Sequence, residues 1–312
     1  MRASRSSCLS VLAGLALLLA AVALAGVSGG TAAPAPRAAV DVTKACATPQ
    51  GRSTRLSVAV DGQGTRSALL HVPPGAHHAL ALIVALHGTG GSGAFMEGYT
   101  GLSRLANRYH FAVVYPDAVG RSWRIGADEG DADVQFVDEL LDRLLAGGCF
   151  DPRRVSATGV SNGAGMAARF ACAGDDRLAG IVAVAGAYGS LPACRAHRPL
   201  SVLEIHGTSD TTAPYYGKPG HPRISVARWL RRWADLDDCP DEPTRNRPRQ
   251  GLLRLDWGPC RGRTAVAHLQ IVGGRHAWPG ANPPDPGPQH GVLASLEAWR
   301  FLGGRRLAPP GM

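Results

Sequence analysis

The chain contains little lysine, since Lys44 and Lys218 are the only two among its 33 basic residues. The formal charge of +9 therefore comes from arginine, and because such a bias commonly reflects genome composition, it gives nucleic-acid binding little support. A collagen-like repeat is absent, and 40 glycines and 23 prolines in 312 residues argue against a coiled coil or a simple helical bundle. Apolar residues (45%) recur along the whole length, which argues against disorder and allows a sizeable core.

Long hydrophobic runs are absent after residue 25. The one long run, Leu9 to Ala25, follows Arg2 and Arg5 and ends in the small-residue triplet 23–25. This pattern predicts a secretory signal peptide over residues 1–25, and the alternative is an uncleaved anchor, for which the run is barely long enough. Gly26 stands where a lipoprotein needs cysteine. The mature protein is therefore expected to be extracellular or periplasmic, without stable membrane insertion.

The cysteines show no metal-ligand pattern, because CxxC motifs and Cys/His clusters are missing, and no metal site is predicted. With Cys8 inside the signal peptide, an even number remains: Cys46, Cys149, Cys172, Cys194, Cys239 and Cys260. An even count in an exported chain favours disulfides. Proximity in sequence favours Cys172 with Cys194 and Cys239 with Cys260, which leaves Cys46 for Cys149. The alternative is a few buried free thiols.

Strand-like and helix-like segments alternate along one predicted domain, residues 46–304, between a flexible lead-in (26–45) and a tail (305–312). Apolar runs predict strands near 69–72, 80–86, 111–115, 155–158, 181–184, 202–205 and 266–272, and helical spacing predicts helices over 134–144, 162–171, 226–233 and 292–299. Segments 237–250 and 279–290 are interpreted as surface loops. The pattern predicts an α/β fold with a mostly parallel central sheet and helices on both faces.

A G-x-S-x-G motif stands between a predicted strand and a predicted helix. It consists of Gly159, Val160, Ser161, Asn162 and Gly163. This strand–turn–helix context is that of a nucleophile elbow, in which a strained turn presents the serine hydroxyl. The alternative is an ordinary N-cap serine on a glycine-rich turn.

A serine nucleophile needs a base and an acid that orients the base, in the chain order serine, acid, histidine. Asp210 follows the strand at 202–205, and His276 follows the strand at 266–272. Both therefore lie where parallel sheets place catalytic groups. The competing residues are less well placed: Asp235, Asp237 and Asp238 follow a helix, His221 and His290 lie in Pro-rich loops, His268 lies within a strand, and His206 is expected to pack near a strand end.

Acyl transfer also needs hydrogen-bond donors for the developing oxyanion. One is expected to be the backbone amide of Asn162, directly after the nucleophile. The other is assigned to the Thr89 amide in the glycine-rich loop 87–93, since glycines let the backbone approach an oxygen closely. A phosphate-binding loop is the alternative, but the lysine of that motif is missing.

Four motifs resemble the secreted polyhydroxybutyrate depolymerase and feruloyl esterase-like group of α/β-hydrolases. They are Leu86–Ser92, Asp151–Val155 together with Gly159–Gly163, His206–Tyr215, and Gly273–Gly280. The similarity covers residues 46 to 302. It implies an α/β-hydrolase fold and hydrolysis of carboxylic esters with Ser161, Asp210 and His276 as nucleophile, acid and base, without a metal or an organic cofactor.

Departures from the family pattern bear on the substrate. Ala164, Arg275 and Ala277 replace residues that are often Gly, Gly and Thr in the group, and Arg275 could narrow the site or bind an anionic group.

Three aromatic residues are candidates for lining an acyl pocket: Trp123, Tyr215 and Trp278. Core packing is the alternative for Trp123. A polymer-gripping domain is not visible, which favours soluble oligomers or small esters. The alternatives to an esterase are an acyltransferase on the same fold, a peptidase, and a non-catalytic cell-surface binding protein.

Overall fold

The computed structural model describes residues 40–41, 51–76, 79–173, 176–189, 194, 198–218 and 224–307, which fall within one unit. The predicted signal peptide lies outside the described residues, as does the tail beyond Leu307. Val40–Asp41, inside the predicted flexible lead-in, form a two-residue strand, because pairing with the next strand satisfies their backbone groups. At the other end, the Leu307 amide donates to the Arg153 carbonyl at 2.8 Å, so the first residues of the predicted tail are anchored.

One sheet of eleven strands organises the fold. The strands are β1 (Val40–Asp41), β2 (Ser53–Val60), β3 (Gly64–His71), β4 (Leu80–Leu86), β5 (Ala112–Pro116), β6 (Phe150–Val160), β7 (Gly180–Val184), β8 (Ser201–Gly207), β9 (Thr244–Asn246), β10 (Leu252–Trp257) and β11 (Val266–Ile271). Their order is β1-β2-β3-β5-β4-β6-β7-β8-β11-β10-β9. Six neighbouring strands of the sheet, β5, β4, β6, β7, β8 and β11, are all parallel. On one side β3 pairs antiparallel with β5, and on the other β10 pairs antiparallel with β11. The predicted, mostly parallel sheet is therefore confirmed.

Helices cover both faces of the sheet. They are α1 (Gly93–Thr100), α2 (Leu102–Tyr109), α3 (Ala132–Ala146), α4 (Asn162–Cys172), α5 (Val226–Leu236) and α6 (Ala294–Leu302). In β4, Leu82 and Val84 belong to one apolar core, which also contains residues of α3, α4 and α5, while Ile83 and Ala85 belong to a second core with residues of α1, α2 and α6. This alternation explains why the central strands are continuous apolar runs, because both faces are buried.

The two segments predicted as loops differ in the structure. Segment 279–290 contains no helix or strand, whereas 237–250 contains β9, which pairs antiparallel with β10. All three residues of β9 are exposed, so its sequence lacks the apolar pattern that predicts a strand. The prediction of a loop was wrong there because backbone pairing at the sheet edge needs no buried side chain.

Two disulfides link cysteines that are close in sequence. Cys172 bonds to Cys194, and Cys239 bonds to Cys260, which confirms the pairing by proximity. Cys149 is also disulfide-bonded. Cys46 lies outside the described residues, so its pairing with Cys149 stays a prediction.

We expect the Cys239–Cys260 bond to contribute to stability through the loop it closes. The sequence separation is 21 residues, for which the chain-entropy estimate is about 3 kcal/mol. Replacing both cysteines by serine should lower the free energy of unfolding by that amount in urea denaturation. The matched Cys172→Ser/Cys194→Ser variant, with a separation of 22 residues, should lose a similar amount. A loss below about 1 kcal/mol in both variants would contradict the entropic account.

Candidate active site

Ser161 occupies the sharp turn between β6 and α4. Its φ of 57° and ψ of −119° are unusual for a residue with a side chain, and such strain persists only where the surroundings enforce it. Two hydrogen bonds do so here: the Ser161 amide donates to the Val184 carbonyl at 3.0 Å, and the Ala187 amide donates to the Ser161 carbonyl at 3.1 Å. The backbone of Ser161 therefore has the geometry of a nucleophile elbow.

Close backbone approach explains the glycines of the elbow. A Cβ atom on Gly159 would overlap the carbonyl of Gly163, and one on Gly163 would overlap the carbonyls of Leu86 and His87. The first turn of α4 thus packs directly on the end of β4. Any larger residue at either position requires backbone movement.

The loop after β4 lies beside Ser161. A Cβ atom on Gly88 would come within 3.4 Å of the Ser161 Cβ atom. Within the described part of the chain, neither the Thr89 amide nor the Asn162 amide donates a hydrogen bond. Asn162 is also the first residue of α4, where helix amides lack internal partners and favour negative charge. Both predicted oxyanion donors are therefore free to bind an oxygen.

Trp123 ties this loop to α4. Its backbone amide donates to Asn162 Oδ1 at 2.7 Å, and Asn162 Nδ2 donates to the Trp123 carbonyl at 3.0 Å. Its indole Nε1 donates to the His87 carbonyl at 2.9 Å. With only 2% of Trp123 exposed, the burial argues against its predicted role in an acyl pocket, because the ring presents almost no surface to a substrate.

Asp210 and His276 meet at the carboxyl ends of β8 and β11. Nδ1 of His276 donates to Asp210 Oδ2 at 2.7 Å, and Oδ1 accepts hydrogen bonds from the Thr212 and Ala213 amides, each at 2.8 Å. The Asp210 side chain is fully buried, whereas 24% of the His276 side chain is exposed. Burial alone would raise the pKa of Asp210, but hydrogen bonds from His206 and His276 outweigh it and lower the pKa well below its usual range.

The loops that carry Asp210 and His276 are held together by their backbones. The Ser209 amide donates to the Gly274 carbonyl at 2.9 Å. A Cβ atom on Gly207 would overlap the same carbonyl. Because β8 and β11 are paired neighbours and β7 separates β8 from β6, Ser161, Asp210 and His276 all follow strands at one edge of the sheet.

His206 and Glu204 form a second pair behind Asp210, and the sequence interpretation missed their connection to the acid. His206 is buried near the end of β8, as expected, but its Nε2 also lies 3.1 Å from Asp210 Oδ2 and its Nδ1 lies 2.6 Å from Glu204 Oε1. Glu204 is completely buried. A glutamate inside an otherwise apolar strand was the signal that could have revealed this pair, since such a charge is rarely buried without a partner.

The other two aromatic candidates are buried as well. Trp278 has no exposed surface, and its Nε1 donates to Ser295 Oγ at 3.1 Å. Tyr215 is 9% exposed, and its hydroxyl lies 2.8 Å from His268 Nε2. Such burial argues against their predicted contact with substrate and assigns them to the framework of the site. Arg275, by contrast, is exposed.

The described residues include no cluster of three or more His, Cys, Asp or Glu side chains suited to a metal ion. Across the same part of the chain, none of the helices is both long enough and apolar enough to span a bilayer.

The sheet, the strained serine and the buried acid–histidine pair are those expected of an α/β-hydrolase, and the comparisons with known proteins give the class as esterase. The chain is 32% identical over 308 residues to NocK of Nocardia uniformis subsp. tsuyamanensis, a protein named as an esterase. The alignment covers 86% of this chain and 89% of that protein. Feruloyl esterase B of Piromyces equi is 27% identical over 68% of this chain, which spans only 42% of that enzyme. In fold, an acetyl xylan esterase from Aspergillus awamori matches 80% of this chain and 99% of its own, with a TM-score of 0.58 and 16% identity.

The family described as "Esterase PHB depolymerase" matches residues 66–215. The chain belongs to this family of carboxylic ester hydrolases, as the motifs of its sequence implied.

We expect Trp123→Phe to slow ester hydrolysis, because it removes the donor to the His87 carbonyl while leaving an aromatic ring in place. Leaving that carbonyl unpaired should lower the free energy of unfolding by about 1–2 kcal/mol, and a loosened loop should lower kcat by about tenfold. Stability and kcat are measured by urea denaturation and with a nitrophenyl ester.

The matched control is Trp257→Phe at the opposite end of the sheet. The buried Trp257 indole N–H has no hydrogen-bond partner among the described residues, so this variant loses ring volume but no hydrogen bond. Its kcat should equal that of the parent. Equal kcat values for both variants would refute the role assigned to Trp123.

Proposed function

We propose that the protein is an exported serine esterase that works through Ser161, His276 and Asp210 and an acyl-enzyme. The observation that carries this proposal is the 2.7 Å hydrogen bond between His276 Nδ1 and Asp210 Oδ2, at the same sheet edge as the strained Ser161. This bond fixes the tautomer of His276, so that its Nε2 is the basic nitrogen available to a serine hydroxyl.

The proposed reaction has two acyl-transfer steps. Nε2 of His276 takes the Ser161 proton as the hydroxyl oxygen attacks the ester carbonyl, and the Thr89 and Asn162 amides donate to the oxyanion. Protonated His276 then gives its proton to the departing alcohol, which leaves an ester on Ser161. Water attacks that ester with His276 again as base, and the acid is released. Asp210 stays ionised throughout and stabilises the imidazolium.

Export through the segment 1–25, with a catalytic domain over residues 46–304, is part of the proposal. The Cys172–Cys194 and Cys239–Cys260 disulfides support it, because disulfides persist in oxidising compartments outside the cytoplasm. We propose soluble oligomers or small esters as substrates. The names of the relatives, a feruloyl esterase and a polyhydroxybutyrate depolymerase family, indicate hydroxycinnamate and hydroxyalkanoate esters as the first candidates.

Ser161→Ala should lower kcat by at least about 10,000-fold, because it removes the nucleophile. Ser57→Ala, at an exposed position of β2, is the matched control and should keep the parental rate. A fluorophosphonate probe should label the parent at Ser161, identified by the mass of the modified peptide. Parental activity in Ser161→Ala, or labelling at another serine, would refute the mechanism.

A substrate panel tests the acyl specificity and the acyltransferase alternative. Hydroxybutyrate oligomers, methyl ferulate, acetylated xylan and short nitrophenyl esters are assayed with and without a competing alcohol or sugar. An esterase releases mainly the free acid even with the acceptor present. Predominant transfer to the acceptor would instead identify an acyltransferase.

A further inference from the structure

The carboxylate of Asp210 lies between two imidazole rings. His276 reaches Oδ2 from the loop after β11, whereas His206 approaches the same oxygen from β8, with only 1% of its side chain exposed. The proposed proton transfers use His276 alone. His206 is therefore a buried, titratable group in contact with the acid of the triad but without an assigned task.

Both ring nitrogens of His206 face oxygens that accept hydrogen bonds. Nδ1 lies 2.6 Å from Glu204 Oε1, and Nε2 lies 2.9 Å from the Ala213 carbonyl and 3.1 Å from Asp210 Oδ2. A neutral imidazole has one donor nitrogen and one acceptor nitrogen, so it would point a lone pair at an oxygen on one side. Only the imidazolium donates at both nitrogens.

Glu204 is arranged as the counter-ion of His206. Its Oε2 accepts a hydrogen bond from the Tyr188 hydroxyl, and the Gly186 amide approaches Oε1 at 3.5 Å. Burial raises the pKa of Glu204. Burial would also lower the pKa of His206, but its hydrogen bonds to Asp210 and Glu204 raise that pKa to about 9. Because a single charge in this interior would be costly, the two groups are either both ionised or both neutral. The donors that Tyr188 and Gly186 direct at the Glu204 carboxylate favour the ionised pair.

We infer that His206 is an imidazolium at neutral pH, held by Glu204, and that these two positioning residues fix the Asp210 carboxylate and reduce the negative charge that His276 experiences. The inference rests on the proposed Ser161, His276 and Asp210 mechanism.

The charges around His206 determine what its loss should do. The titratable groups that face the ring or its partners are Glu204 and Asp210 from β8 and the following loop, Tyr188 from the segment after β7, Tyr215, and His268 and His276 from β11 and its loop. Burial lowers the pKa of His268 to about 3 and raises the pKa values of both tyrosines, so these three groups are neutral at pH 7. Two carboxylates and one imidazolium remain, with a net charge of −1 next to His276.

Two single substitutions should therefore shift the pH dependence in opposite directions. His206→Gln removes the cation that contacts Asp210 directly, and Glu204, without its counter-ion, is expected to take up a proton. Because the lost cation is nearer to His276 than the lost anion, the protonated form of His276 is favoured and the acidic limb of kcat/KM should move to higher pH. Glu204→Gln removes an anion, while Asp210 remains as the counter-ion of the His206 imidazolium, so the same limb should move to lower pH. His206→Gln should also lower kcat at the plateau by about tenfold or more, with a smaller change in KM. A general packing defect would not shift the two limbs in opposite directions.

Asp237→Asn provides a matched change of a buried carboxylate to an amide. Asp237 is 2% exposed and accepts from the Leu200 amide, just before β8 begins, at the opposite end of the strand. It should change stability without moving the acidic limb. If His206→Gln does not fold, the downward shift in Glu204→Gln still tests the inference.

The protonation state can also be read directly by 15N NMR of the histidine side chains in the full chain at pH 7, with His206 assigned by its loss in a variant. Two protonated ring nitrogens are expected. One protonated nitrogen, or unshifted acidic limbs in both variants, would overturn the inference. Because the NMR signals do not depend on turnover, failure of the Ser161→Ala test would refute the proposed function separately.

Discussion

The arrangement of the candidate site, at the carboxyl ends of the strands, depends on one buried carboxylate, that of Asp210, which needs hydrogen-bond donors. An ionised carboxylate out of water costs several kcal/mol unless hydrogen bonds and opposite charge compensate it. Its donors are two amides of its own loop and the rings of His276 and His206. The two carboxylate oxygens therefore hold together the acid loop, the end of β8 and the loop after β11. The orientation of the histidine thus follows from the electrostatics of the acid.

A second constraint is steric and acts on the backbone. The elbow glycines let α4 pack on the end of β4, and Gly207 lets the acid loop meet the histidine loop at Gly274. These contacts set the spacing between parallel strands that are far apart in sequence. The strain at Ser161 is maintained by the carbonyl of Val184 and the amide of Ala187. Val184 is the last residue of β7 and Ala187 lies in the segment that follows it. The steric and electrostatic constraints therefore meet at the carboxyl ends of β8 and β11, where Gly207 packs on Gly274 and Asp210 binds His276.

The central part of the fold was predictable because a strand buried on both faces is a continuous apolar run, as in β4 and β7. The flanking strands β2 and β10 were missed for a physical reason, whereas the apolar end of β3 was predicted at 69–72. In β2 only every second residue is buried, and in β10 the middle of the strand carries Arg254 and Asp256, which pair with each other. Helices α1 and α2 have eight residues each and share Gly101 as a cap, so neither is long enough to show a clear helical period.

The residues proposed for the chemistry were easier to identify than those expected to contact substrate. In the proposed mechanism serine, acid and histidine act through their functional groups, and their chain order, each after a strand (β6, β8 and β11), is visible in sequence. An aromatic residue near a motif can either line a substrate pocket or hold neighbouring segments together. Only tertiary packing decides which way its ring points. Trp123 shows this, since the indole N–H that would suit a polar substrate binds the His87 carbonyl instead. Tertiary packing, and not proximity to a motif, decides which side chains near the site are exposed. Substrate specificity is therefore expected to depend on the side chains that packing leaves exposed.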